Sequence, residues 1–321
     1  TRNMVTGAST SQAANILIDA RKGVVEQTYR HFFINNLLRV KNIIVAVNKM
    51  DLVSYSEEVF EDIKRNFEVL NANSTYQEQK VEYIPVSALQ GDNIVQKSEA
   101  MRWYEGDTIL GHLEQLESKD VRDKSAFRFP VQSVIRPKQD EFHDFRGYAG
   151  KVYGGALSVG DEVTVLPSMT KSKIKAIHFF DKTFEQAKPG TSVTLTLEND
   201  INISRGDMLV KSEELPKIEK DITATVCWMD AKHLVSGTKY IVQHNSNQIL
   251  SKVGQIKGLI ATDFSGTSNA ENKLALNEIG EVEIKLSKPM FYDSFADNKS
   301  NGAFILIDAQ SNTTAGVGFI N

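Results

Sequence analysis

Two apolar runs near the front of the chain restrict its fold more than anything else in the sequence. ANILIDA (Ala14–Ala20) and NIIVAVN (Asn42–Asn48) are continuous in hydrophobicity rather than alternating. That pattern belongs to short strands covered on both faces. Between them, VVEQTYRHFFINNLLRV places Val25, Tyr29, Phe32, Phe33 and Leu37 at helical spacing. Beyond them, SEEVFEDIKRNFEVLNA puts Val59, Phe60, Ile63, Phe67 and Leu70 on one helical face. VEYIPVSAL reads as a third strand, and DTILGHLEQLE as a last short helix with Asp107 as its N-cap. Strand alternating with helix predicts a parallel, doubly wound sheet.

The helical period stops after the charged stretch ESKDVRDKSA (Glu117–Ala126). FRFPVQSVI, FRGYAGKVYGG, GDEVTVLP, SKIKAIHFF, TSVTLTLE and GDMLV are short strands divided by Gly, Pro and Asp, the spacing of a small antiparallel barrel. A second charged stretch, KSEELPKIEKD, precedes another set: ITATVCWM, KYIVQHN, EIGEVEIKLSKPM, NGAFILIDAQ and TTAGVGFI. The two sets could form one larger β domain, but the stretch between them favours two barrels. The expected division is residues 1–120, 121–214 and 215–321. A formal net charge of −4 offers no global attraction to nucleic acid or anionic membrane. Cys227 is the only cysteine, which excludes a disulfide framework and suits a reducing, cytoplasmic compartment. No apolar run approaches the ~18 residues of a membrane span.

Chemistry enters where the second strand ends. KNIIVAVNKMDL closes on Asn48, Lys49 and Asp51 around Met50. Guanine carries adjacent N1–H and 2-amino donors, and one carboxylate can accept from both. Adenine lacks that pair, and a site built on buried hydrogen bonds rejects such an analogue by ~10⁴–10⁵. Asp51 is the candidate carboxylate. Lys49 would lay its stem along the base plane. Asn48 would tie the loop to nearby backbone and bond the base edge. The next strand ends in VSAL, where a Ser87–Ala88–Leu89 turn could offer backbone N–H groups to guanine O6. Ligands of open α/β sheets bind outside such strand ends. A guanine reader ordinarily works with a phosphate cradle, yet G-x-x-x-x-G-K-[ST] does not occur in the 321 residues.

Other residues are less telling. Asp19, at the end of the first strand, could face a nucleotide or cap its own loop. Tyr153–Gly155 reads as turn glycine rather than a phosphate loop, because no helix follows. His31, His112, His143, His178, His233 and His244 show no metal spacing. RPKQDEFHDFRGYAG reads as a solvated hairpin or a binding loop. No catalytic nucleophile or paired-carboxylate arrangement emerges.

Taken together, these blocks resemble the large GTPase subunit of bacterial sulfate adenylyltransferases, relatives of elongation factor Tu. TRNMVTGAS is similar to the family segment that follows D-T-P-G-H-E-Q-Y. ILIDARKGVVEQTYRH, NKMDLVSYSEE, VSALQGDN, WYEGDTILGHLE, RFPVQSVIRP, FRGYAGKVYGG and INISRGDMLV are similar to further blocks. Phe127–Gly155 separates this group from translation factors that bind aminoacyl-tRNA, the competing reading. The resemblance implies a G domain followed by two β-barrels. It also implies GTP with Mg²⁺, and guanine contacts at Asn48, Lys49, Asp51, Ser87, Ala88 and Leu89. The implied partner is a small catalytic subunit that makes adenosine 5′-phosphosulfate from ATP and sulfate, driven by GTP hydrolysis here. The G-domain face near the absent switch segment is the expected place for that coupling. The family's phosphate loop, Mg²⁺ switch and D-x-x-G segment are not in the sequence. The chain therefore reads as N-terminally truncated and inactive by itself.

Overall fold

The structure is a computed structural model and describes residues 2–116, 125–137, 145–180, 182–269 and 272–321. Most of the first charged stretch (117–124) and of the RPKQDEFHDF loop (138–144) lies outside the described residues. The chain divides into two compact units, residues 1–118 with 260–268, and residues 119–259 with 269–321.

The first unit runs α1 (Arg2–Ala8), β1 (Ala13–Asp19), α2 (Glu26–Leu37), β2 (Asn42–Asn48), a 3₁₀ turn (Met50–Val53), α3 (Glu57–Ala72), β3 (Lys80–Pro85) and α4 (Ile109–Gln115). Its sheet has the order β1-β2-β3, and both pairings are parallel. The continuous apolar run explains the central strand. Ile43, Ile44, Val45, Ala46 and Val47 are all between 0 and 1 % exposed, as a strand covered on both faces requires. β1 lies at the edge: Ile16 and Ile18 are buried, but Leu17 between them is 60 % exposed. On α3, Phe60, Ile63, Phe67 and Leu70 point inward, and Ser56 caps the helix by accepting from the Val59 N–H.

α1 has no counterpart in the pattern reading, because seven residues carry too little periodicity. The expected cap of α4 is corrected. Thr108, not Asp107, is the N-cap and accepts from the Gly111 N–H at 3.1 Å. Asp107 lies one residue too early for that geometry, and its carboxylate accepts from Gln115 Nε2 at 2.9 Å. The segment Ile260–Ser268 belongs to this unit, where the Phe264 ring packs 5.0 Å from Phe33 and 5.9 Å from Phe32.

The second unit holds two barrels. The first contains β4 (Arg128–Ile135), β5 (Gly147–Lys151), β6 (Glu162–Leu166), β7 (Thr170–Phe179), β8 (Ser192–Leu197) and β9 (Met208–Lys211). Their order is β8-β5-β4-β9-β6-β7, and β7 pairs back onto β8, so among the described residues six antiparallel strands close. The second contains β10 (Lys217–Trp228), β11 (Lys239–His244), β12 (Asn247–Ile260), β13 (Ile279–Tyr292), β14 (Ala303–Ile307) and β15 (Thr314–Ile320). It runs β11-β14-β15-β10-β13-β12 and closes β12 onto β11. Closure removes the exposed strand edges that open sheets must protect.

Each barrel has its own apolar core. Phe127, Phe129, Tyr148 and Leu195 fill the first, and Trp228, Val242, Ile284 and Leu306 the second. A smaller cluster of Leu166, Met208, Val210 and Phe291 joins strands of both. Beside it, buried Arg128 of β4 reaches Asp293 with two parallel hydrogen bonds, 2.8 and 2.7 Å. The Tyr153–Gly155 turn needs its glycine: Gly154 has φ +70°, and a Cβ there would lie 2.1 Å from the Ala126 carbonyl oxygen. Cys227 is fully buried, and burial pushes its thiol pKa up to about 12, so it is an inert core group.

Candidate functional site: two loops at the strand ends

The sheet register decides which side chains meet. Asp19 pairs with Asn48 and Val47 with Pro85, so all three strands end at the same level. The loops that follow are joined at once by backbone, Val86 N–H to Val47 O at 2.8 Å and Met50 N–H to Val86 O at 3.2 Å.

Side chains complete the joint. The Asn48 Oδ1 accepts from the Lys49 N–H at 2.7 Å and from the Ala88 N–H at 3.0 Å. The Ser87 hydroxyl donates to Asp51 Oδ1 at 2.7 Å and accepts from the Gln90 N–H at 3.3 Å. Ser87 is wholly buried, while Leu89 is 84 % exposed. A carboxylate has two oxygens and several lone pairs, so Asp51 keeps acceptor capacity beyond the Ser87 bond. These contacts fix two loops from distant parts of the sequence into one surface, with the acid of Asp51 seated between them.

One expectation changes in detail. Asn48 Oδ1 ties the two loops through backbone N–H groups of both. The Ala88 N–H, assigned in the sequence reading to a ligand oxygen, is held by that same Asn48 oxygen. An amide oxygen offers two lone pairs and two N–H groups stand within reach, so the loops satisfy themselves locally.

Lys49 adopts the left-handed conformation, φ +69°, and so do Ser54 and Tyr55, each at φ +54°. Three non-glycine residues there within one loop mark backbone held by its surroundings. Among the restraints, Trp103 Nε1 donates to the Tyr55 carbonyl at 3.0 Å, and its ring packs 5.4 Å from Phe60. The Lys49 ammonium crosses to β1 and meets Asp19 Oδ2 at 2.9 Å. Asp19 also accepts from Arg21: its N–H at 3.1 Å, Nε at 3.0 Å and Nη2 at 2.7 Å. Hydrogen bonds from Arg21 first, and Lys49 second, hold the Asp19 carboxyl far below the usual carboxylate range.

Asp19 is thus both a loop cap and a partner of the predicted site. Arg21, Tyr55 and Trp103 were not singled out from the sequence. Arg21 had a local signal, a cation two residues after a strand-end acid. Trp103 had none, because it reaches Tyr55 across 48 positions. Among the described residues no group of three or more His, Cys, Asp or Glu is placed to hold a metal ion. No helix among them is long and apolar enough to cross a membrane.

Comparison with known proteins places this geometry in a family. Residues 1–131 match the elongation factor Tu GTP binding domain, and residues 221–321 the GTP-eEF1A C-terminal domain-like family. Solved structures of sup35 complexed with GMPPNP and with GDP superpose with TM-scores of 0.57 and 0.56 at 20 % identity. They cover 98 % of this chain and 79 % of theirs, and they show the fold alone. Sequence relatives are nearer. Sulfate adenylyltransferase subunit 1 of Colwellia psychrerythraea is 42 % identical over all of this chain and 67 % of its own length. The Alteromonas mediterranea protein of the same name is 42 % identical over 66 % of its length. The bifunctional enzyme CysN/CysC of Mycobacterium tuberculosis is 40 % identical over 52 % of its length. The chain therefore spans about two thirds of the first two relatives and about half of the third. With 40–42 % identity over the whole chain, an α/β G domain leading into two antiparallel barrels, and both strand-end loops in place, this chain belongs to the sulfate adenylyltransferase subunit 1 family.

Proposed function

We propose that the joined loops bind the guanine base of GTP, with Asp51 accepting from N1–H and the 2-amino group. Lys49 lines one face of the base, Leu89 shields the other, and Asn48, Ser87 and Ala88 hold the pocket's shape. The observation that carries this reading is the Ser87–Asp51 bond of 2.7 Å, which aims a carboxylate from one strand-end loop using the other. In the whole protein, GTP with Mg²⁺ would be hydrolysed to drive synthesis of adenosine 5′-phosphosulfate from ATP and sulfate on a small catalytic subunit. Relatives named subunit 1 support a partner subunit. We read the chain as three domains, residues 1–120, 121–214 and 215–321, working in the cytoplasm. The relatives at 40–42 % identity favour this over delivery of aminoacyl-tRNA, since the sup35 likeness extends to fold alone.

Much of the affinity of such sites comes from phosphate contacts. The residues described here reach a base, so binding by these 321 residues is on the order of millimolar. That still permits a test of base choice. Asp51→Asn exchanges an acceptor for a donor, and xanthine carries a carbonyl where guanine has its 2-amino group. NMR titrations should show the native chain preferring guanosine over xanthosine monophosphate, and Asp51→Asn reversing the order. The expected loss toward guanosine monophosphate is about 10–100-fold, as for hydrogen bonds to a charged group. Equal weakening toward both nucleotides would make Asp51 structural and remove the proposal's basis.

A further inference from the structure

We infer that Asp19 is a positioning residue for base recognition, acting through Lys49; the inference rests on the guanine reading above. The side chains to consider lie on two different strand-end loops. Lys49 directly follows β2 and holds the left-handed conformation. A lysine stem is flexible, and flattening it along a base would ordinarily cost rotamer freedom at the moment of binding. Here the far end is already anchored, with Nζ 2.9 Å from Asp19 Oδ2. The near end is anchored too, since the Lys49 N–H is held by Asn48 Oδ1 at 2.7 Å. With both ends fixed, the four carbons between them present a set surface before any ligand arrives.

Asp19 is suited to this because it is itself rigid. It sits on the last residue of β1, in register with Asn48. The Arg21 guanidinium grips both its oxygens, at 3.0 and 2.7 Å. Its side chain is 17 % exposed while that of Lys49 is 45 % exposed, so the anchor is sheltered and the stem is open to a ligand. The persistent negative charge of Asp19 keeps the ammonium in place across the physiological range. The simpler role for this residue is to cap its own loop, because its carboxylate takes the Arg21 N–H and its carbonyl takes those of Lys22 and Gly23. Loop capping would not depend on which side chain stands at position 49, and that difference makes the two roles separable.

The test is a double-mutant cycle on the 321-residue chain, with Asp19→Asn, Lys49→Met and the pair. Guanosine monophosphate is the probe, adenosine monophosphate the comparison, and NMR titration the measurement. Asp19→Asn should weaken guanosine monophosphate about fivefold in the native background, a coupling typical of residues in contact. In the Lys49→Met background the same substitution should change affinity by less than about 1.5-fold. An equal loss in both backgrounds would reduce Asp19 to a loop cap and overturn the inference, as would no loss in the native background. Circular dichroism melts of all four proteins identify any variant that fails to fold; Asp19→Glu then replaces Asn in the cycle, and the same two outcomes decide. If the native chain does not distinguish guanosine from adenosine monophosphate, the guanine reading itself fails and takes this inference with it.

Discussion

Asp19 shows how much a single residue's surroundings can alter its chemistry. Its folded pKa is depressed by Arg21 and Lys49. The unfolded chain therefore binds more protons than the folded one once the pH nears the ordinary carboxylate value of about 3.9. Stability from this group is present in full above that value and is lost as pH falls through the folded pKa. Asp19→Asn lacks the group, so its urea midpoint should lie below that of the native chain from about pH 5 upward. The gap should narrow progressively as the pH falls below the ordinary carboxylate value. A gap independent of pH would mean that the ion cluster contributes nothing measurable. The surface pair of Arg102 and Glu99 is 80 and 86 % exposed, and its removal should leave the midpoint unchanged.

At the scale of elements, the barrels are joined by a buried charge and not by apolar contact alone. The Arg128 side chain is 2 % exposed, and besides Asp293 it donates to the carbonyl oxygens of Phe127 and Glu214 at 2.8 and 2.7 Å. Asp293 in turn accepts from Asn301 Nδ2 at 2.7 Å. Asp293→Ala would leave a guanidinium buried without its counter-ion, and such losses cost about 3–5 kcal/mol. Arg128→Met keeps much of the volume and removes the charge, so it should cost clearly less in the same denaturant measurement. If the order is reversed, the pair holds the barrels by packing and not by charge. Secondary structure shows what local pattern can convey. The alternation of strand and helix in residues 14–115, and the barrel strands after them, were legible because hydrophobic period reports which face is covered. The cap of α4 was not, because Asp107 and Thr108 are both good capping residues and backbone direction chooses between them.

Across the whole molecule, the two units differ in how they close. Both barrels return onto themselves, whereas the parallel sheet of the first unit ends in β1 with Leu17 exposed. An open apolar edge is the weaker construction. Differential scanning calorimetry should therefore show two transitions, the first unit melting before the barrels, and limited proteolysis should leave a resistant fragment beginning near Ser125. Survival of the first unit after the barrels are digested would contradict this. Function divides in the same way. Among the described residues no group of three or more His, Cys, Asp or Glu is placed to hold a metal ion. Supplied with GTP, ATP, Mg²⁺ and sulfate, the chain alone should make no adenosine 5′-phosphosulfate, and product formed without a second subunit would refute that division of labour.

The sequence by itself determined the order of elements, the two loops in which a base reader could lie, and the family resemblance. These follow from residue type and spacing along the chain, which one-dimensional pattern carries in full. Only the tertiary structure decided how those residues are employed. Asn48 and Ala88 are 40 positions apart, Lys49 and Asp19 are 30 apart, and Arg128 and Asp293 are 165 apart. Nothing in their local sequence names these partners. Sheet register brings the first two pairs together and the meeting of two barrels the third. A hydrogen bond depends on ångström distances between groups whose separation along the chain is arbitrary.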